Sequence, residues 1–92
     1  MKRRLAVLRG EGDNIVQLAG TERDSADANL RTLDDVTSAT EHEQILGRIR
    51  YDVGIVNQIN AMATPEEQTD LAGIVQQSNT ILQQAEARPT PT

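Results

Sequence analysis

The sequence predicts a single-domain, all-α protein, a small helical bundle built on an antiparallel αα-hairpin. Apolar residues recur at helical spacing through residues 41–63 and again through 65–86. The connection between these segments is so short that two such helices must run antiparallel. With 92 residues the chain can hold one domain. We therefore expect residues 1–92 to form one domain, with an extended arm over 1–12 and an extended Pro/Thr tail over 87–92.

The N-terminal arm carries concentrated positive charge. Residues 1–10 contain four basic residues and no acidic one, whereas the rest of the chain holds five Arg against fourteen Asp and Glu. The basic side chains are Lys2, Arg3, Arg4 and Arg9, and we name them the basic arm. Two partners suit this arm, a phosphate group or an acidic patch on a neighbouring protein. A net charge of −5 makes broad nucleic-acid binding the weaker expectation.

One or two shorter helices are predicted between the arm and the hairpin, after a short strand or extended segment over residues 4–9. Asp13 is a favourable N-cap for a short helix over residues 14–19, and Gly20 is a residue that commonly ends helices. A second helix is then expected to begin between residues 21 and 25 and to end near Ala39. Its apolar face is thin and consists of Ala26, Leu30, Leu33 and Val36.

The start of the hairpin is marked by a change in hydrophobic phase. Heptad steps from Leu30 do not reach the apolar stripe that begins at Ile45, which predicts a break between residues 37 and 41. Thr40 followed by Glu43 predicts a capping box, in which each side chain bonds the free backbone N–H of the other residue.

The start of the second hairpin helix is the strongest local signal in the chain. Thr64 is a favourable N-cap, and Pro65 occupies the first helical position, where its missing N–H has no cost. Glu67 completes a second capping box.

The residue inventory does not favour a catalytic, cofactor or metal site. There is one histidine, His42, and no cysteine, and the residues three and four positions from His42 offer no metal ligand. The Gly10-Glu11-Gly12 segment lacks the third glycine of a dinucleotide fingerprint, and its acidic neighbours would repel a pyrophosphate. We expect a non-enzymatic protein without cofactor, metal or small-molecule substrate.

Two polar residues stand on the apolar face of the predicted 41–63 helix. A buried Asp52 needs a partner, and Arg48, four residues earlier, is predicted to supply it in a structural ion pair rather than a catalytic site. Asn60 has two interpretations. It can be a seam residue that fixes register and oligomeric state, or it can lie at an edge and bond the backbone across the hairpin.

Two uncharged helix surfaces indicate contacts with other protein chains. Gly47, Gly54 and Ala61 recur every seven residues opposite the apolar stripe, where they either admit a second helix or are tolerated at the surface. We expect the first, so that Gly54→Leu should lower stability by about 1–3 kcal/mol through overpacking and weaken association. The predicted interface residues are Gly47, Gly54, Ala61, Asn60, Gly73, Gln76, Gln77, Thr80, Gln83 and Gln84.

These features favour a non-enzymatic structural subunit of a larger assembly, such as a virion component, a filament or a coiled-coil bundle, formed by helix–helix packing. A homo-oligomer or a larger complex is the expected state. A small helical adaptor that binds one partner protein is the alternative, and a weak nucleic-acid contact through the basic arm is the third. Residues 5–8 are too short for a signal-peptide core or a membrane span, so we expect a cytoplasmic location or a particle assembled there, such as a virion.

We predict that the purified chain self-associates or is largely unfolded alone. Tyr51 is the sole aromatic residue, and the chain has no cysteine for a disulfide or thiolate staple, so an isolated core of this size is marginal. Light scattering and circular dichroism over a dilution series test this. A compact, stable 10.1 kDa monomer in dilute solution would contradict it.

Overall fold

The computed structural model describes residues 14–91, and these residues form three α-helices without a strand. Helix α1 spans Asn14–Asp35, α2 spans Ala39–Met62 and α3 spans Pro65–Ala87. The all-α class predicted from the sequence is therefore confirmed. The basic arm, the segment 4–9 and the Gly10-Glu11-Gly12 turn lie outside the described residues.

Helix α1 is continuous, so the predicted helix end at Gly20 is wrong. In place of two shorter helices there is one of 22 residues, close in length to the 24 residues of α2. A Cβ atom added at Gly20 would lie 4.0 Å from Ile74 Cδ1 of α3, an ordinary van der Waals distance. The packing of α1 on α3 therefore does not require glycine here, and the residue is accommodated inside the helix at a cost of about 1 kcal/mol relative to alanine.

The break between α1 and α2 lies at residues 36–38, and Ser38, not Thr40, is the N-cap of α2. Ser38 has an extended backbone, with φ −112° and ψ 144°, and its Oγ accepts a hydrogen bond from Glu41 N at 3.1 Å. The predicted capping box at Thr40 is wrong because Ser38 holds the N-cap position and Thr40 is already the second residue of the helix.

The predicted cap of α3 is confirmed. Thr64 Oγ1 accepts a hydrogen bond from Glu67 N at 3.2 Å, and Thr64 N donates to Glu67 Oε1 at 2.8 Å. Pro65 is the first helical residue. One turn later, Gln68 Nε2 donates to the carbonyl oxygen of Asn60 at 2.8 Å, which satisfies an acceptor at the end of α2.

Contacts between side chains define the directions of α2 and α3. Asn57 bonds Asn79, and Arg50 Nη2 lies 3.3 Å from Glu86 Oε2. As the residue number falls along α2 it rises along α3, so these two helices are antiparallel.

Helix α1 runs parallel to α3 and contacts both other helices. Arg23 Nη1 donates to Gln77 Oε1 at 2.9 Å, and Arg88 Nε donates to Asp34 Oδ1 at 2.6 Å. The same offset in residue number separates both pairs, which places the start of α1 beside the start of α3. Arg88 follows the last residue of α3, and residues 88–91 are not helical.

The core is aliphatic and consists of two clusters. One cluster contains Ala26, Leu30, Leu33, Ile45, Leu46, Ile49, Val53, Ile81 and Ala85. The other contains Ile15, Ala19, Ile59 and Leu71. Val56 and Ser78 are also fully buried but belong to neither cluster. Each lies on its helix between residues of the two clusters. Within residues 14–91, none of the helices has an apolar stretch that could cross a bilayer.

We predict that Ser78→Ala raises the free energy of unfolding by about 1 kcal/mol, because a buried hydroxyl without a partner carries a desolvation cost. Ser78 is 0% exposed, and its Oγ has no hydrogen-bond partner among the described residues. Ser38→Ala is the matched control, and loss of the cap should lower stability by about 1 kcal/mol. Urea denaturation of both variants gives the two signs. A destabilised Ser78→Ala variant would mean that this hydroxyl makes a hydrogen bond in solution.

Candidate functional site

The described residues offer no cluster of three or more His, Asp or Glu side chains that could hold a metal ion. His42 lies in the first turn of α2 and donates its backbone N–H to Ser38 O at 3.0 Å. His42 is 3% exposed, and neither ring nitrogen has a hydrogen-bond partner in the part of the chain that the structure describes.

Asp52 is buried, as the sequence predicted, but its partner is not Arg48. The residue is 7% exposed, and its carboxylate accepts a hydrogen bond from Asn29 Nδ2 of α1 at 3.3 Å. No ion pair joins Arg48 and Asp52 within residues 14–91, and the predicted intrahelical pair is wrong. The partner comes from a neighbouring helix, which helical spacing within one segment does not reveal.

A reciprocal pair of side-chain hydrogen bonds joins α2 and α3 at Asn57 and Asn79, and the side chain of Asn60 is not part of it. Asn57 Nδ2 donates to Asn79 Oδ1 at 3.0 Å, and Asn79 Nδ2 donates back to Asn57 Oδ1 at 3.2 Å. Each amide also donates to the carbonyl four residues earlier in its own helix. Asn60 is half-buried, and its backbone carbonyl is what bonds across the connection, to Gln68.

The glycines of α2 face open space. A Cβ atom added at Gly47 or at Gly54 would meet no other group within 4 Å. Neither residue is therefore needed for packing inside the single chain, and α1 does not fill this side of α2. Ala61, the third member of the predicted line, is exposed as well.

Tyr51 lies between these two glycines and is 66% exposed. Together with its neighbours at helical spacing it forms what we name the α2 outer stripe, which is exposed and uncharged throughout. The residues of the α2 outer stripe are Gln44, Gly47, Tyr51, Gly54, Gln58 and Ala61. Tyr51 borders two shallow hollows, one beside Gly47 at the edge of α1 and the other beside Gly54. An exposed ring with a hollow on either side is a shape that another helix can fit.

The uncharged residues predicted on α3 form a different surface. A Cβ atom at Gly73 would also meet open space, and Gln83 is exposed. The other predicted residues line a groove between α1 and α3, beside the charged Arg23, Asp24 and Asp27. The predicted residues in this groove are Gln76, Gln77, Thr80 and Gln84. The structure thus divides the predicted interface into an α2 surface and an α3 surface, and the four side chains of the basic arm lie outside the described residues.

Tyr51 is the residue of this surface that the sequence pattern did not select. Its identity as the sole aromatic residue was visible, and so was its position four residues after Gly47 and three before Gly54. These spacings place the three residues on one helix face. Their exposure depends on which sides of α2 are covered by α1 and α3.

Comparison of the chain with protein families, with curated proteins and with solved structures finds no significant match. The function is therefore argued from the geometry.

We predict that Asn57 and Asn79 are coupled by about 0.5–1 kcal/mol in a double-mutant cycle with alanine, because the pair is partly exposed and its bonds compete with water. Urea denaturation of the wild type, both single variants and the double variant gives the coupling. Asn57→Ala combined with Thr69→Ala is the control. Thr69 lies ten residues from Asn79, or about 15 Å along the helix, so its effect should be additive. Additivity in the Asn57–Asn79 cycle would contradict the reciprocal bond.

Proposed function

We propose that this protein is a structural subunit of a protein assembly and that the α2 outer stripe is a surface through which it contacts other chains. The observation that carries the proposal is the 66% exposure of Tyr51. A small protein gains much stability from burying a large aromatic side chain, and here the sole Phe, Tyr or Trp of the chain lies outside the core. Tyrosine is enriched at protein interfaces and frequent among the residues that dominate binding energy.

The two glycines beside the ring support the same function. Each costs about 1 kcal/mol in a helix interior relative to alanine. Among the described residues, a Cβ atom added at Gly47 or Gly54 would meet nothing within 4 Å, so packing inside the chain does not explain either glycine. Close approach of a helix from another chain would give both positions a contact that only a small residue allows.

The charge pattern of α2 also suits burial. From Tyr51 to the end of the helix the exposed residues are all uncharged. An interface core is depleted in charged residues because each buried charge must be desolvated and then paired. The outer face of α1, by contrast, carries Asp24, Arg31 and Asp35, which suits contact with water.

A filament, a coiled-coil bundle or a virion shell would each use a subunit of this kind. A helical adaptor would use the same α2 outer stripe for a single, different chain. The mass of the purified protein separates these alternatives, because a structural subunit associates without an added partner.

The sole tyrosine makes the test specific to the proposed surface. The chain has no tryptophan, so its intrinsic fluorescence comes from Tyr51 alone. Light scattering should show the mass rising above 10.1 kDa with concentration. Acrylamide quenching of the fluorescence should weaken in parallel, because association covers the ring. A rising mass with unchanged quenching would place the contact elsewhere, and a monomer at all concentrations would contradict the proposal.

We predict that Gly54→Leu raises the melting temperature of the dilute chain but weakens association. In the single chain the new side chain enters open space. Leucine also has a higher helix propensity than glycine, by about 1 kcal/mol. Between associated chains the same side chain should overpack the contact and weaken the free energy of association by about 1–3 kcal/mol. Thermal melts at low and high concentration, with mass measurements, test both parts.

Gly73→Leu is the matched control, since Gly73 is equally open but lies on α3. It should raise the melting temperature and leave the mass unchanged. If Gly54→Leu also left the mass unchanged, the α2 outer stripe would not be the contact surface.

A further inference from the structure

We propose that the chain which packs on the α2 outer stripe is a second copy of this protein. The two α2 helices lie parallel and in register, with Glu43 of each copy paired with Arg48 of the other. This inference rests on the proposed function and adds the partner, the direction and the register.

The α2 outer stripe has the spacing of a two-stranded coiled coil. Its members alternate three and four residues apart, which assigns Gln44, Tyr51 and Gln58 to the a positions of three heptads. The d positions are then Gly47, Gly54 and Ala61. All six are exposed, so the seam is free along its whole length.

The parallel arrangement gives the tyrosine ring a place. In a parallel pair, a residue at an a position enters a hole formed by four residues of the facing helix. For Tyr51 these are Gly47, Arg50, Tyr51 and Gly54 of the second copy. Two glycines leave the hole wide, and the hollows observed beside them in the single chain are the space that the ring would occupy. The guanidinium of Arg50 would border the ring, and the face of an aromatic ring attracts a cation.

The charges beside the seam identify a second copy as the occupant. Glu43 precedes an a position and Arg48 follows a d position, so they are g and e residues five positions apart. In a parallel pair a g residue faces the e residue five positions on in the other helix, and such pairs set partner choice and orientation. Both side chains belong to exposed residues, and neither forms an ion pair within residues 14–91.

An antiparallel pair of the same helices is less favourable. Full overlap of the stripe in that direction sets Tyr51 against Gly54 of the other copy. It also leaves Glu43, Arg48 and Arg50 opposite uncharged residues. The antiparallel pair therefore gains no ion pair between the two chains. Of the two directions, the parallel one combines full overlap of the α2 outer stripe with a Glu43–Arg48 pair on each side of the seam.

Charge reversal tests the pairing between copies. Glu43→Arg alone and Arg48→Glu alone each place like charges together twice in a parallel pair, and each should raise the dissociation constant by about tenfold. A one-to-one mixture of the two variants restores opposite charges at both contacts. Sedimentation velocity of the mixture should show pairing close to that of the wild type. Circular dichroism of each variant checks that these exposed substitutions leave the helices intact.

Disulfide trapping tests the direction independently. The chain has no natural cysteine, so Gln44→Cys introduces a single thiol. In the parallel register the two thiols face each other at an a position and should form a disulfide rapidly under mild oxidation. In the antiparallel arrangement Cys at this position would face Ala61, and trapping should be slow. Gln83→Cys on α3 is the control for random collision.

The outcomes separate the inference from the proposed function. Restored pairing in the mixture and rapid trapping at position 44 support the parallel register. A wild type that associates through a covered Tyr51, with a mixture that stays apart or no trapping, overturns the register and leaves the proposed function standing. A wild-type chain that stays monomeric overturns both.

Discussion

The structure depends on the close packing of three helices around a core that contains no aromatic side chain. Small residues make this approach possible, since Ala19, Ala26 and Ala85 are fully buried. Both core clusters draw on all three helices, so removal of α1 would open both at once. Hydrophobic stabilisation scales with buried apolar area, and aliphatic side chains of this size supply a modest amount. The helices consequently stabilise one another, and none of them is an independent unit.

Polar groups inside this small core further limit its stability. Asp52 is held by one amide, that of Asn29, at 3.3 Å. His42 and Ser78 are buried with polar atoms that have no partner in the described part of the chain. Buried polar atoms without partners cost more than most surface interactions return. The reciprocal pair of Asn57 and Asn79 lies at the edge of the α2–α3 contact, where water shares its bonds, so it fixes the register of the two helices more than it adds to stability.

Local signals in the sequence were sufficient where a single residue type has a single structural use. Pro65 directly after Thr64 is compatible with one helix start, and α3 begins there in the structure. Local signals were insufficient where two capping patterns overlap, because Ser38 followed by Glu41 is as good a capping pattern as Thr40 followed by Glu43. Gly20 and Asp52 could not be placed because their contacts, Ile74 and Asn29, come from other helices. The exposure of the α2 outer stripe could not be predicted for the same reason. The spacing of its residues is local, but the sides of α2 left uncovered depend on the tertiary arrangement.

Core composition and surface composition are therefore connected in this protein. A second chain that binds the folded state and not the unfolded state raises stability by mass action. A small core without aromatic rings buries a modest apolar area, so that even a weak contact would shift the fraction folded. The α2 outer stripe suits such a contact, because one ring and two glycines bury a small area and Gln44 and Gln58 remain compatible with water. Association through it would be reversible and concentration-dependent. Folding and association of this chain would then be coupled, with assembly completing the stability that three aliphatic helices begin.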